Sequence, residues 1–148
     1  RPWRRSSKIM EINWFDYNNL GDLYRKQGQY LKAESLEQRA LTIGEKALEP
    51  NHPDVAIILV NLGVLYRDQK RYAEAEPLFQ RALTVQEKAF GPDHSKVISI
   101  LEDYAALLEK MNRTAEARPL GARAQAIRAK QADFLPPSAP VIGQGSRE

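Results

Sequence analysis

The stretch Asn19-Leu20-Gly21-Asp22-Leu23-Tyr24-Arg25 returns 42 residues later as Asn61-Leu62-Gly63-Val64-Leu65-Tyr66-Arg67. The same offset carries Gln38-Arg39-Ala40-Leu41-Thr42 onto Gln80-Arg81-Ala82-Leu83-Thr84, and Pro50 and His52 onto Pro92 and His94. Between residues 17–58 and 59–100, 23 of 42 positions are identical, far above chance. A third copy is eroded. Residues 101–131 keep 11 of the 31 positions of 59–89, and Asn-Leu-Gly has become Asp103-Tyr104-Ala105. Self-similarity at one fixed period means stacked supersecondary units, because a single such unit cannot bury its own apolar face.

Each unit reads as two helices. Leu59, Leu62, Leu65 and Tyr66 recur at spacings of three and four, as do Ala75, Leu78, Phe79 and Ala82. Breaks fall at Gly28-Gln29, Lys70-Arg71 and Asn112-Arg113 inside the units, and at Pro50-Asn51-His52-Pro53 and Gly91-Pro92-Asp93-His94-Ser95 between them. Gly91 suits a helix C-terminus, Asp93 an N-cap and Pro53 a first turn. Helices are expected near 11–27, 30–48, 53–69, 72–90, 95–111 and 114–132. Gly21 and Gly63, facing Ala33, Ala40, Ala75 and Ala82, mark close approach of the two helices of a unit, with Tyr24 and Tyr66 filling the space above.

The set Leu20-Gly21, Tyr24, Ala33, Ala40, repeated as Leu62-Gly63, Tyr66, Ala75, Ala82, resembles the tetratricopeptide repeat (TPR). Its 42-residue spacing, with Asn-Leu-Gly, Ala-Glu and Arg-Ala-Leu, is similar to the longer kinesin-light-chain subtype, which is also common in bacterial multi-repeat proteins. The resemblance covers residues 13–132 and implies an all-α fold, a right-handed α-α superhelix of three helix-turn-helix hairpins at 11–50, 53–92 and 95–132. Residues 1–10 then form a basic N-terminal tail and 133–148 a Pro/Gly-containing C-terminal tail. Glu37 and Gly121 stand where the family pattern has an aromatic, a place Phe79 fills, so the third repeat is expected to pack more loosely.

Composition narrows the function. The net charge of +3 rests on Arg1, Arg4, Arg5 and Lys8, whereas residues 9–134 hold 17 Lys/Arg against 18 Asp/Glu. The folded body therefore lacks the basic face of a nucleic-acid-binding domain, and no nucleic-acid partner is expected. No run of apolar residues is long enough to span a membrane, so no membrane partner is expected, and a cytoplasmic location fits best. The absence of cysteine removes disulfides, thiolate metal sites and cysteine nucleophiles. The start at Arg1 reads as a fragment or a processed product.

No phosphate-cradling glycine loop, HExxH or GxSxG sequence is present. His52 and His94 share one register in successive linkers, which marks them as linker residues and not as catalysts or metal ligands. No enzyme activity, cofactor or metal is expected.

The resemblance also implies that the first helix of each repeat lines a concave groove that holds a protein or peptide. The groove residues would be Phe15, Asn18, Asn19, Asp22, Arg25 and Lys26, then Ile57, Val60, Asn61, Val64, Arg67 and Asp68, then residues of the third repeat that include Asp103. Asn19 and Asn61 offer amide donors and acceptors to an extended backbone. Arg25 and Arg67, at matching heights, are expected to hold a carboxylate between them. The carboxylate clamp of chaperone-binding TPR domains is not expected, because its positions here carry Asn18, Asp22, Asn61, Ser99 and Asp103, and only Asn61 agrees. Two further readings compete with a binding scaffold. One is a structural module that forms homo-oligomers through exposed repeat ends; the other is an accessory domain of a larger enzyme or signalling protein.

Overall fold

The computed structural model of the chain describes residues 13–134; the basic N-terminal tail and most of the expected C-terminal tail lie outside them. Within these residues six helices follow one another: α1 (Trp14–Lys26), α2 (Tyr30–Ala47), α3 (Pro53–Asp68), α4 (Tyr72–Phe90), α5 (Ile98–Lys110) and α6 (Thr114–Phe134), with a short 3-10 turn at Ser95–Val97 leading into α5. They form three hairpins, α1/α2, α3/α4 and α5/α6, stacked as an all-α solenoid. Among the described residues no helix is long and apolar enough to cross a membrane.

The breaks between helices of a hairpin share one backbone device. Gly28, Lys70 and Asn112 take left-handed φ values of 75°, 62° and 60°. In the second hairpin Lys70 N–H donates to the Arg67 carbonyl at 2.9 Å and Arg71 N–H to the Tyr66 carbonyl at 2.9 Å. This pair of bonds closes the helix end in a Schellman motif. The other two turns repeat it, from Gln29 to Tyr24 at 2.9 Å and from Arg113 to Leu108 at 2.8 Å.

The linker histidines have a structural task. His52 Nδ1 accepts the Asp54 N–H at 3.1 Å, capping α3, whose first turn Pro53 also opens. His94 Nδ1 accepts the Lys96 N–H at 3.1 Å at the 3-10 turn. The linker before the third hairpin therefore caps on His94, not on the expected Asp93, and α5 itself starts three residues later than expected.

Packing within a hairpin depends on the glycines. A Cβ on Gly63 would stand 3.1 Å from the ring of the fully buried Phe79, tighter than ordinary contact, so the bare backbone lets the aromatic lie close. In the first hairpin Glu37 takes the equivalent position against Gly21, itself only 1% exposed. In the third, Gly121 has nothing within 4 Å of its missing Cβ. Phe79 joins Ala33, Leu62, Leu65, Tyr66, Ala75 and Leu107 in one core that runs through all three hairpins. The α5/α6 pair adds two smaller clusters, one around Leu101 and Ile127 and one around Leu108 and Ala117.

Polar rungs tie one hairpin to the next. Arg71 reaches back to Glu34 at 2.9 Å while holding Glu74 at 2.6 Å, and its guanidinium lies 4.3 Å from the Tyr66 ring centroid. Arg113 repeats this, bridging Glu76 at 2.6 Å and Glu116. Tyr66 donates its hydroxyl to Glu34 at 3.3 Å and accepts from Gln38 at 3.2 Å. Leu108 occupies the Tyr66 position in the third hairpin, and the rung is remade one turn earlier. Tyr104, in the Leu62 position, donates to Glu76 at 3.1 Å and accepts from Gln80 at 2.8 Å.

Candidate functional site

The first helices of successive hairpins touch one another, α1 to α3 and α3 to α5, whereas the second helices do not. The stack therefore curves with α1, α3 and α5 on its inner side, the surface on which the groove residues were expected.

Those residues separate into three groups. Asn19 and Asn61 are on the surface, exposed and half-buried respectively, and among the described residues neither side-chain amide makes a hydrogen bond. Asn61 lines a shallow apolar cleft of about 140 Å³ with Ala56, Ile57, Val60, Gln86 and Ile100. Ile57 is 47% exposed there. Val64 is half-buried and packs against the central core.

Asn18 behaves otherwise. It is 3% exposed and is not available on the groove surface. It lies on α1 one turn before Gly21, whose missing side chain draws α1 tight against α2, and among the described residues its Oδ1 finds no partner.

The charged residues form the third group. Arg25 holds Asp22 at 2.7 Å through Nη2 and Asp68 at 2.8 Å through Nη1. Lys26 holds the other Asp22 oxygen at 2.9 Å. Arg67 approaches Asp68 from its own side at 3.5 Å. The two arginines thus do flank a carboxylate, but it is the chain's own Asp68. The matching heights were legible in the sequence; the acid that fills the gap was not, because Lys26 and Lys110 occupy the repeat positions equivalent to Asp68. Burial acts to raise Asp22, but the hydrogen bonds from Lys26 and Arg25 outweigh it and hold its carboxyl below the usual range. Burial likewise works against the Arg25 charge, and the bonds to Asp22 and Asp68 more than restore it. Asp103 is pushed up by burial, with Arg67 opposing and Glu102 reinforcing the shift.

A second concavity lies outside the expected groove. Tyr30, Arg67, Asp68, Lys70, Tyr72 and Lys110 line an open polar cleft of about 280 Å³ at the turn end of the hairpins. Its sequence signal was present at Lys70, which stands where the other two turns use Gly28 and Asn112.

A family model described as tetratricopeptide repeat matches residues 16–83 and again 54–130. Solved structures share the fold at low sequence identity. BtubC (BKLC) from P. vanneervenii superposes with a TM-score of 0.77 at 22% identity, over 90% of this chain and 54% of that one. A kinesin light chain-like protein from Podosopora anserina with nearly identical TPR-like repeats gives 0.70 at 23%, over 84% and 57%. MamA AMB-1 gives 0.58 at 23%, over 90% and 66%. The chain spans about half the length of the first two. No curated protein sequence matches it.

Proposed function

Because the chain belongs to the tetratricopeptide repeat family, we propose that it is a protein-interaction scaffold that binds an extended segment of a partner along its inner face. The observation that carries this reading is the pairing of unspent amides with an open apolar cleft. Asn19 and Asn61 have donors and acceptors not used within the described residues, and Ile57 and Val60 present apolar surface beside Asn61. An extended backbone needs both features: amides to meet its own N–H and C=O groups, and a recess for an apolar side chain. Arg25 is not assigned to recognition, because Asp22 and Asp68 already occupy its guanidinium.

The test starts from a partner captured with the whole chain. Asn61→Ala and Ile57→Asp lie on the inner face outside the hairpin cores and leave the ion pairs untouched. Each is expected to weaken that partner's binding roughly tenfold, about the value of a lost hydrogen bond or apolar anchor. Unchanged affinity in both variants overturns the groove assignment.

A second reading, self-association through the ends, draws on Leu20, Leu23 and Leu31. These are 41%, 50% and 83% exposed on the first hairpin. Leu62 and Leu65, the equivalents of Leu20 and Leu23, are buried in the central core. Light scattering at several concentrations decides it; a strict monomer at high concentration rules it out.

A further inference from the structure

The cleft at the turn end of the hairpins has the chemistry of an anion site. Arg67, Lys70 and Lys110 line it, against the single carboxylate of Asp68. That carboxylate is already held by Arg25 at 2.8 Å, and Arg67 meets it only at 3.5 Å. Asp103 is near enough to couple to Arg67 but does not line the cleft. Among the described residues neither Lys70 nor Lys110 makes an ion pair, and neither the Tyr30 nor the Tyr72 hydroxyl makes a hydrogen bond. Three cationic side chains, of which Lys70 and Lys110 are exposed, and two tyrosines thus line an open space of about 280 Å³, room for a small oxyanion and a few waters.

A separate observation concerns the backbone. Lys70 takes a left-handed φ of 62°, which costs an L-residue with a Cβ more than it costs glycine. The equivalent turns use Gly28 and Asn112, the two residue types that tolerate this conformation best. The fold alone therefore gives no reason for lysine here. A strained lysine where this chain's other two turns use easier residues points to a task for the side chain.

We propose that this cleft binds a compact dianionic phosphoryl group, with Lys70 and Lys110 as its charge partners and Tyr30 and Tyr72 as hydroxyl donors. Three positive charges against one carboxylate leave an excess that a dianion matches better than a monoanion does. The site adjoins the inner face at Arg67 and Asp68 but needs no occupant of the groove, so it stands or falls apart from the scaffold reading.

Lys70→Asn is the decisive variant, because asparagine already serves the equivalent turn at Asn112, so the hairpin is expected to keep its fold. Backbone amide NMR of the whole chain is titrated with inorganic phosphate, with a short phosphoserine peptide and with the same peptide unphosphorylated. Saturable shifts centred on Lys70, Tyr72 and Lys110 are expected with the phosphorylated probes, and roughly tenfold weaker binding in Lys70→Asn. A tighter phosphopeptide places the phosphoryl group on a partner protein; equal affinity places it on a free anion. Linear, scattered shifts, or titrations that Lys70→Asn leaves unchanged, overturn the site.

Discussion

Glu37 lies against Gly21 as Phe79 lies against Gly63, with its Oε1 2.7 Å from where a Cβ on Gly21 would stand. A carboxyl group thus fills the slot that the second hairpin gives to an aromatic ring, and among the described residues Oε2 has no partner. Burial, reinforced by Asp22 and only partly offset by Arg25, pushes Glu37 up to about 8. The acid stays protonated in the fold while the unfolded chain loses that proton near pH 4.5. Stability should therefore fall as the pH rises from about 4.5 to about 8 and level off above that. The loss is expected to be about 2–4 kcal/mol, allowing for relaxation around the charge. Denaturant midpoints at pH 5 and pH 9 measure it. Glu37→Gln, which cannot ionise, should flatten the profile; an equally steep profile in that variant assigns the effect elsewhere.

Gly63 and Gly121 should respond to alanine in opposite directions. At Gly63 the new methyl would meet the ring of the fully buried Phe79 at 3.1 Å, so the ring would have to shift by a few tenths of an ångström. Overpacking of this kind costs about 1–3 kcal/mol and should exceed the helix-propensity gain of about 1 kcal/mol. At Gly121 nothing stands within 4 Å, so only the gain of about 1 kcal/mol should remain. Thermal melts of the two variants read the contrast directly. Stabilisation by Gly63→Ala would show that the hairpin is not held at contact distance.

The caps give a smaller, cleaner effect. His52→Ala removes the acceptor of the Asp54 N–H and should cost about 1 kcal/mol, while His52→Asn should restore most of it. Equal stability of all three forms would mean that water caps the α3 terminus as well as the imidazole does.

How much of this was legible in the sequence depended on the range of the interaction. The 42-residue period fixed the hairpins, and the shared register of His52 and His94 marked them as linker residues, because both are properties that repeat. Features that break the repeat were hidden. Asp68 has Lys26 and Lys110 for its equivalents, so its bond to Arg25 across the hairpin boundary had no counterpart to reveal it. Tyr104 restores a rung from the wrong position, which sequence comparison records as the loss of Tyr66 at Leu108 and not as a relocation. Asn18 has the residue type of a groove amide, and only the tight approach of α1 to α2 around Gly21 accounts for its burial. The cleft around Lys70 needed the three-dimensional meeting of α2, α3, α4 and α5 termini.

The Arg25–Asp68 pair should couple the first hairpin to the second. Both side chains are about three-quarters buried or more, with 20% and 25% of their surfaces exposed, so solvent screens the pair less than an open surface bridge. A double-mutant cycle with Arg25→Ala and Asp68→Ala is expected to give a coupling of about 1 kcal/mol that shrinks at high salt. Asp68→Asn carries a second consequence. It removes the only carboxylate lining the Lys70 cleft, and Arg67 loses its nearest acid at 3.5 Å. Phosphate affinity should then rise while stability falls. The two readouts moving in opposite directions would place Asp68 as the internal competitor for that cleft; a fall in both would mean that Asp68 chiefly holds the cleft's shape.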